Sequence, residues 1–491
     1  MSRPLRWYDY FTVNIYFTGL MTIAQTLTPL VVPLLVQQFV GPAQQGSFYG
    51  TIRLWSLMVA VLVQALSGML SDRSTLRWGR RRPFILVGTL ANLVFLTGIG
   101  LSAGLSGMQG YWMLFVLLIL VQIAANISHG AAQGLIPDIV PENLRGRYSG
   151  VKAILEVPVP VILVSFIIGR FIASGDLWVA LLAVGVVLIT SLFISLFAPE
   201  KRLESQPLAL DWQPFLRLAL MAAVFTLVIL GSGQLIRSIT QLVTIQSNLS
   251  IWLIGLAGLA TMAVAIIAGV WLSVNTGIGP AASQNRSYTW WVTNRLAFLL
   301  GATDLASFTI YFLQGRLGLE RELAAAPASR LIMVVGVFIL LMSLPSGWLA
   351  DRFGSRRLVL ISGLVASAGS LVIILAPGLP LMYVGGVLVG GAAGIFYTAN
   401  WALGTRLVPP SEAGRYLGIS NLAGAGAGAV GAYVGGPIAD AFTRSLPQAP
   451  GLGYVVLFAI FGCLFLFSSF AATRIKPPAS PIPEPIPSPI A

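Results

Sequence analysis

The amino-acid sequence predicts an all-α polytopic membrane protein. Of its 491 residues, 56% are hydrophobic and only 9% are charged, whereas a soluble domain carries about 25% charged residues. A helix that crosses ~30 Å of hydrocarbon needs ~20 mostly apolar residues, and it pairs its backbone polar groups internally. Apolar stretches of that length recur along the chain between clusters of charge, Pro and Gly, so almost the whole chain is predicted to be membrane-spanning helix.

The predicted spans fall into two sets of six with a pair between them. The first set covers residues 11–35, 48–71, 83–104, 110–135, 149–172 and 177–198. The last set covers residues 290–313, 329–350, 357–376, 380–404, 415–440 and 451–472. The central stretches 215–236 and 251–274 are each long enough to cross. We therefore predict fourteen spans, or twelve if the central pair only lies in the membrane interface.

These spans divide the chain into four regions. We predict an N-terminal six-helix bundle (residues 1–200), a central linker with two additional helices (201–288), a C-terminal six-helix bundle (289–474) and a tail (475–491). The tail contains PPASPIPEPIPSPIA, which is too rich in Pro for a helix and predicts exposed polyproline. A Gly-rich stretch in the thirteenth span, NLAGAGAGAVGAYVGG, predicts close helix packing.

The distribution of Lys and Arg predicts the orientation. With the N-terminus inside, 20 of the 29 basic residues fall in cytoplasmic loops and 6 fall outside. The excess of positive charge on cytoplasmic loops then places both termini in the cytoplasm. We expect the chain to reside in the plasma (inner) membrane. This arrangement explains the net charge of +13 by contacts with anionic lipid, without a nucleic-acid partner.

Two pairs of loops indicate an internal duplication. The loop GMLSDRSTLRWGRRRPF begins at Gly68, and GWLADRFGSRR begins at Gly347, after the second span of each half. DIVPENLRGRYSG from Asp138 aligns without gaps with RLVPPSEAGRYLG from Arg406, between the fourth and fifth spans. Topology alone explains the Arg in short loops but not this shared order of Gly, Asp and Pro. Parallel repeats of this kind are typical of transporters.

The first loop resembles the cytoplasmic loop motif of the major facilitator superfamily. The residues that carry the resemblance are Gly68, Asp72, Arg73, Gly79, Arg80 and Arg81. More narrowly, SDRSTLRWGRRRPFI, QTLTPLV and QIAANISHGAAQGLIPD resemble the sucrose transporters and the glycoside-pentoside-hexuronide cation symporter group. Gln122 and Gln133 depart from the plant sucrose transporters, which carry an acidic residue and an Arg there, so coupling through the fourth span and sucrose itself are not implied.

The resemblance implies a major facilitator fold of two six-helix halves and a role for the repeated loop. In that superfamily the loop latches the two halves in the outward-facing state. We therefore assign gating to Asp72, Arg73, Arg80 and Arg81, with Asp351 and Arg352 as the second copy. The alternative is a loop that only sets topology.

Polar residues follow one face in each of two spans. Gln122, Asn126, His129 and Gln133 are spaced by four, three and four residues, which places them on one stripe of a helix. The first span carries Asn14, Thr18, Thr22 and Gln25 in the same way. Such stripes line a shared solute cavity or join helices by hydrogen bonds. His129, the one histidine, is a proton carrier or a plain hydrogen-bonding partner.

We single out three of the charged residues inside predicted spans, where each costs ~2.5 to 3.5 kcal/mol on insertion scales. They are Arg53, Glu156 and Asp304. Glu156 and Asp304 are the candidates for proton coupling; the alternative is a structural ion pair with Arg53, Arg295 or another residue. Ser307 and Tyr311 follow Asp304 on its face, and with Asn400 in GGAAGIFYTANW they complete the predicted solute-binding set.

These patterns predict a secondary active transporter rather than an enzyme. The chain has one His, one Cys and no Gly-rich nucleotide-binding loop, so we expect no catalytic site, cofactor or metal. We predict a monomer that moves a small polar solute, a sugar or glycoside, together with a proton by alternating access. The same patterns also fit two alternatives: efflux of amphipathic compounds, and a non-transporting protein of the same fold that helps to assemble a membrane complex.

Overall fold

The computed structural model describes residues 5–76, 78–200, 211–243, 245, 247–279, 285–408, 413–449 and 451–476. Apart from Ile475 and Lys476, the predicted tail lies outside these residues. Within them, fourteen helices are long and apolar enough to cross a membrane, which confirms the predicted number and the spanning length of the central pair. The helices are α1 Asp9–Val40, α2 Gln45–Asp72, α3 Arg82–Ser102, α4 Gly107–Ile139, α5 Glu142–Ala173, α6 Leu177–Ser195, α7 Gln213–Leu242, α8 Asn248–Ile278, α9 Arg286–Leu317, α10 Ala325–Phe353, α11 Ser355–Leu375, α12 Leu379–Leu407, α13 Ala413–Ser445 and α14 Leu452–Thr473.

Helix α5 begins earlier than the hydropathy of the sequence predicts. The predicted span starts at residue 149, but the helix starts at Glu142, directly after Pro141. Proline is favoured at a helix start because its missing N–H leaves no bond unmade there. Glu156 therefore lies fourteen residues, or roughly 21 Å at 1.5 Å per residue, into α5 and close to its middle, deeper than the predicted span placed it.

Helices α1 and α5 are interrupted near their middles. In α5 the regular helix ends at Glu156 and resumes at Pro158, and a wider π-helical turn follows at Val164–Ile168. In α1 a similar turn covers Leu27–Val31, which contains Pro29. Proline in a helix removes one hydrogen bond and clashes with the preceding turn, so each break has a local cause in the sequence.

The two halves repeat one packing contact. In the first half, Tyr148 of α5 stacks on Tyr10 of α1 at 4.2 Å between ring centroids. In the second half, Tyr416 of α13 packs edge-on against Tyr288 of α9 at 4.7 Å. The residues Tyr148 and Tyr416 belong to the Gly-Arg-Tyr segments of the two similar loops, so the sequence repeat corresponds to a repeated contact between the first and fifth helices of each half.

The inserted pair, α7 and α8, packs on the C-terminal half. The Phe225 ring of α7 contacts Gly269 of α8 and Gly426 of α13 so closely that a Cβ at either glycine would collide with it. Arg237 of α7 lies over the Tyr433 ring of α13, 4.7 Å from its centroid. Small residues thus allow the inserted helices to approach α13, as the Gly-rich stretch predicts.

Candidate functional site

The bundle has two ends, which we name after the residues at which α2 begins and ends: the Gln45 end and the Asp72 end. At the Gln45 end the two halves are joined. The buried Asp440 carboxylate of α13 accepts N–H bonds from Gly46 (2.8 Å) and Ser47 (2.7 Å) of α2. Gln45 bonds to the Tyr454 hydroxyl of α14 at 2.9 Å, and the Tyr311 hydroxyl of α9 donates to the carbonyl of Pro33 in α1 at 2.8 Å.

At the Asp72 end the halves are apart. Among the described residues, the hydrogen bonds between residues 5–200 and residues 285–476 lie at the Gln45 end. We interpret this difference as a bundle that is closed at the Gln45 end and open at the Asp72 end.

Accessible positions on two buried helices indicate a space between the halves. Helices α1 and α9 are mostly enclosed by other helices. Their partly exposed positions nevertheless recur every three or four residues, which places them on one stripe of each helix. These positions are Met21, Ala24, Gln25 and Thr28 on α1 and Arg295, Ala302, Thr303 and Ala306 on α9. We interpret the two stripes as walls of a central cavity.

The N-terminal half contributes a polar cluster, which we call the N-half cluster. Lys152 and Glu156 of α5 form an ion pair at 3.7 Å, and each side chain is about one quarter exposed (23% and 26%). The Lys152 ammonium also lies 4.2 Å from the Phe17 ring centroid. On α4, His129 packs edge-on against the same ring at 5.8 Å and hydrogen-bonds to Gln133 at 3.2 Å.

The C-terminal half contributes a second group, the C-half cluster. Asn400 of α12 accepts a hydrogen bond from Arg295 of α9 at 3.1 Å and donates one to Asn294 at 2.8 Å. Asn294 in turn donates to Ser468 of α14 at 2.8 Å. The Arg295 guanidinium lies over the Trp401 ring at 5.6 Å. Among the described residues this cation has no carboxylate partner, and its Nε has no acceptor.

Asp304 lies fully buried in α9, apart from both clusters. Neither carboxylate oxygen has a hydrogen-bond partner among the described residues. Arg53 of α2 is near enough to interact electrostatically but forms no ion pair with it, and the Arg53 Nε also lacks an acceptor. Gly428 and Gly431 of α13 provide the room, since a Cβ at Gly428 would crowd Arg53 and one at Gly431 would collide with Asp304.

The structure uses most of the α1 stripe for helix packing. Asn14 donates to the carbonyls of Tyr10 (2.9 Å) and Tyr148 (3.2 Å), and Thr18 donates to that of Leu155 (2.7 Å). Thr22 bonds to the Thr18 carbonyl within its own helix. The spacing correctly places these side chains on one face, but α5 covers that face. Of this stripe, only Gln25 lies on the accessible side of α1.

Other predicted ligands also bond locally. Asn126 is buried and donates to the carbonyl and side-chain oxygens of Gln122, at 2.9 and 3.2 Å. Ser307 donates to the Thr303 carbonyl at 2.9 Å, and Tyr311 belongs to the closure at the Gln45 end. The structure thus separates the predicted set into residues that border the cavity, residues that pack helices and one that joins the halves.

The predicted gating loop forms an ion-pair network inside the N-terminal half. Asp72 pairs with Arg81 and lies 3.9 Å from Arg80. Asp138 pairs with the same two residues, with Arg80 at 2.5 Å and Arg81 at 3.0 Å; it follows the turn of the α4 backbone at Gly134. Arg81 is buried and also donates to Ser71. Arg73 donates to the Met69 carbonyl at 3.2 Å. In this open-ended state, the ion pairs of the loop among the described residues lie within its own half.

Glu200, beyond the end of α6, completes this network. Its carboxylate accepts N–H bonds from Arg81 and Arg82 at the start of α3, where backbone donors have no helical partner. Burial raises the pKa of Glu200, while the bonds from Arg81 and Arg82 lower it. Gly79 has a positive φ of 117°, and a Cβ there would collide with this carboxylate, which explains the glycine in the motif.

The second copy of the motif has different partners. Arg352 lies over the rings of Trp348 and Phe353, at 5.4 and 5.5 Å. Asp351 is exposed and forms no ion pair among the described residues. In the aligned loop, Arg406 occupies the position of Asp138, so the second half has a cation where the first half has the carboxylate that binds Arg80 and Arg81.

Sequence reasoning missed several residues of these clusters. The count of basic residues assigns Lys152 to the cytoplasmic side, although Lys152 lies within the predicted span 149–172; its four-residue spacing from Glu156 would have indicated a helical ion pair. Asn294 and Arg295 are adjacent polar residues within an apolar span, a signal that was available. Asp440 and Glu200 gave no signal, because their partners are backbone N–H groups distant in sequence.

Among the described residues, no three His, Cys, Asp or Glu side chains form a metal site.

The chain matches a known family along most of its length. The family model described as Major Facilitator Superfamily matches residues 15–316 and 295–490. Among curated proteins, the chain is 34% identical over 122 residues to human solute carrier family 45 member 4, and 36% identical over 96 residues to the multidrug resistance protein B homolog of Mycobacterium tuberculosis. It is 26% identical over 123 residues to the lactose permease of Lactobacillus helveticus. These alignments cover 23%, 19% and 23% of this chain but only 15%, 16% and 19% of the relatives.

Solved structures share the whole fold at low identity. The nucleoside transporter NupG is 13% identical with a TM-score of 0.62, and the alignment covers 96% of this chain and 100% of that one. The D-xylose-proton symporter is 15% identical with a TM-score of 0.62, covering 96% of this chain and 98% of the other. These likenesses show the fold.

Proposed function

Because the chain belongs to the Major Facilitator Superfamily, we propose that it is a proton-coupled transporter of a sugar or glycoside that works by alternating access. The family and the fold identify a multi-pass membrane transporter. The solute and the coupling proton are the proposal. It keeps the narrower resemblance to the sucrose and glycoside-pentoside-hexuronide group as an expectation about substrate class.

The observation that carries the solute class is the chemistry of the two clusters beside the central space. Amides, a guanidinium and an ion pair supply donors and acceptors, and Trp401 supplies an aromatic face. A sugar presents many hydroxyls and a few apolar C–H faces, so it needs several polar partners and a flat aromatic surface. Sites of this kind fix a ligand by a small number of placed polar groups.

Asp304 is our candidate for the proton carrier. A buried ionised carboxylate without a partner is costly, and Asp304 has none among the described residues. Glu156 differs, because Lys152 already compensates its charge. We infer that loss of the proton from Asp304 draws Arg53 into contact with it, and that protonation releases Arg53. Since Arg53 and Asp304 lie in different halves, this exchange would link the proton to the arrangement of the halves.

The conformational state fits this scheme. The count of Lys and Arg predicts that the Asp72 end is cytoplasmic, and with that orientation the structure is an inward-open state. A symporter releases its solute and proton to the cytoplasm from such a state.

A binding screen tests the solute class. Purified protein is exposed to monosaccharides, disaccharides, aryl glycosides, nucleosides and amphipathic cations, and thermal unfolding and Trp fluorescence are recorded. We expect a sugar or glycoside to raise the unfolding temperature and to change fluorescence in the wild type, but not in Trp401→Leu. Trp348→Leu is the control, since Trp348 is exposed and lies beneath Arg352. Stabilisation by nucleosides or amphipathic cations alone would contradict the proposal.

Efflux of amphipathic compounds is the second candidate. It is favoured by the 36% identity over 96 residues with the multidrug resistance protein B homolog. The same screen separates the two functions, because a hydrophobic cation, and no sugar or glycoside, would then stabilise the protein.

A further inference from the structure

A groove between α8 and α9 lies outside the central site. It has a volume of about 390 Å³. Its walls come from the inserted helix α8 and from the first turns of α9, so it exists only because the inserted pair is present. The residues that the argument uses are Ile267, Trp271 and Asn275 on α8 and Arg286, Thr289 and Trp290 on α9.

On its α8 wall the groove changes from polar to apolar with depth, while Thr293 adds a polar residue on the α9 wall. Arg286 is the first residue of α9, and Asn275 lies three residues before the end of α8 at Ile278, so both are at the Asp72 end. Ile267 lies eleven residues from Ile278, or roughly 16 Å deeper at 1.5 Å per residue. Trp271 lies between these levels, and its side chain is 58% exposed. A polar opening above an apolar wall of this length matches a phospholipid headgroup and the first part of its acyl chain.

The opening is positively charged. Arg286 is exposed and forms no ion pair among the described residues. The segment after α14 contacts the start of α9, because the Lys476 backbone N–H donates to the Ser287 hydroxyl, next to Arg286, at 3.1 Å. A second basic residue is therefore anchored by its backbone beside the opening. Trp271 and Trp290 suit the same level, since Trp favours the membrane interface.

We propose that this groove binds an anionic phospholipid, with its phosphate at Arg286 and an acyl chain along Trp271 and Ile267. The inserted helix α8 thereby acquires a lipid-binding role that does not depend on the transported solute. An aqueous anion would find the same cation, but it would leave the apolar wall uncovered, so the lipid is the occupant that satisfies both parts of the groove.

Native mass spectrometry of the detergent-purified chain tests this proposal. The protein is titrated with phosphatidylglycerol, with phosphatidylcholine of the same acyl chains, and with soluble glycerol phosphate. We expect one phosphatidylglycerol to remain bound in preference to phosphatidylcholine. Arg286→Gln should weaken the affinity for phosphatidylglycerol about fivefold, which corresponds to ~1 kcal/mol per basic residue near the surface. Arg286→Lys keeps the charge and should retain most of the binding.

The control variant is Arg406→Gln. Arg406 is exposed near the last residue of α12, at the Asp72 end where the groove opens, but it does not line the groove. This variant should bind phosphatidylglycerol as the wild type does. Trp271→Ala provides a second, uncharged variant and should weaken binding of both lipids. Equal loss in the Arg406 and Arg286 variants, or equal binding of the two lipids by the wild type, would overturn the proposal. Binding of glycerol phosphate as tight as that of the lipid would identify a free-phosphate site and also overturn it.

Discussion

The carboxylate of Asp440 on α13 accepts a hydrogen bond from the backbone N–H of Ser47 on α2 at 2.7 Å. Together with the bond from Gly46, it caps the N–H groups at the start of α2, which have no partner within the helix and favour an anion. Helix α2 runs antiparallel to α13, so α2 ends, at Asp72, on the side of the bundle where α13 begins. Asp440 joins the halves in this state, whereas Asp72 is bound within its own half.

Asp440→Asn should open the Gln45 end. An amide keeps the shape but loses the charge that strengthens the N–H bonds, so the closed arrangement is stabilised less. A loss of ~1.4 kcal/mol would change the ratio of states about tenfold. Distances between spin labels at Gln44 and Gln448, both exposed, should lengthen. Asp176→Asn, at an exposed Asp of the same end whose side chain bonds to Ser174, is the control and should leave them unchanged.

Asp72→Asn should reduce transport while solute binding survives. The remaining Arg residues still hold the loop on its side of the membrane, but Arg80 and Arg81 lose one partner, and the two states lose it unequally. A differential contact of ~1.4 kcal/mol again corresponds to about tenfold in the conformational ratio. Uptake rate, equilibrium binding and label distances are measured together. Asp351→Asn, in the second copy of the motif, should have the smaller effect, because its carboxylate has no ion pair among the described residues in this state. Unchanged label distances in Asp72→Asn would leave the loop only a topological role.

Asp304→Asn should uncouple the proton from the solute. The amide cannot ionise, so Arg53 has no charge to approach, and exchange of solute across the membrane should continue without proton movement. A pH-sensitive dye inside liposomes records whether solute entry carries protons. In Glu156→Gln, by contrast, Lys152 loses its ion-pair partner, and we expect weaker binding with proton movement retained. Proton entry at the wild-type ratio in the Asp304 variant would refute the assignment.

Asn400→Ala should weaken solute binding and stability together. It removes the acceptor of Arg295 and the donor to Asn294, and each buried polar group left unpaired costs ~1 to 3 kcal/mol. We expect affinity to fall about tenfold or more by calorimetry. Asn14→Ala is the matched comparison, because Asn14 donates to backbone carbonyls of α1 and α5. It should lower the unfolding temperature and leave the affinity of the folded protein unchanged.

Glu200→Gln should change how stability depends on pH. Burial raises the pKa of Glu200, so the folded protein binds this proton more tightly than the unfolded chain does. By linkage, the contribution of Glu200 is fully present below its unfolded pKa and is lost as pH rises through its folded pKa. Gln does not titrate. The difference in unfolding temperature between wild type and variant should therefore move in favour of the variant as pH rises from about 4 to about 8, and a constant difference would contradict this account.

The sequence predicts the helices of this protein better than it predicts their partners. Fourteen spans and the two halves follow from hydropathy and from repeated loops, since both properties are local. Asn14 and Thr18 share a face, as their spacing requires, but only the fold shows that α5 covers it. Lys152 lies inside the predicted fifth span, but the count of basic residues used it only as a marker of orientation and not as a partner of Glu156. Asp440 binds backbone N–H groups of α2, at the far end of the sequence, and no side-chain pattern records such a contact.

Uptake into liposomes tests the central claim most directly. The protein is reconstituted, and radiolabelled members of a sugar and glycoside panel are offered with an inward proton gradient, without a gradient, and with a protonophore. We predict accumulation of at least one sugar or glycoside above its external concentration with the gradient, and only equilibration when the gradient is absent or collapsed. Asp304→Asn should equilibrate the same sugar without accumulating it. Failure of every sugar and glycoside to accumulate, in vesicles that hold the gradient and contain folded protein, would contradict the proposed function.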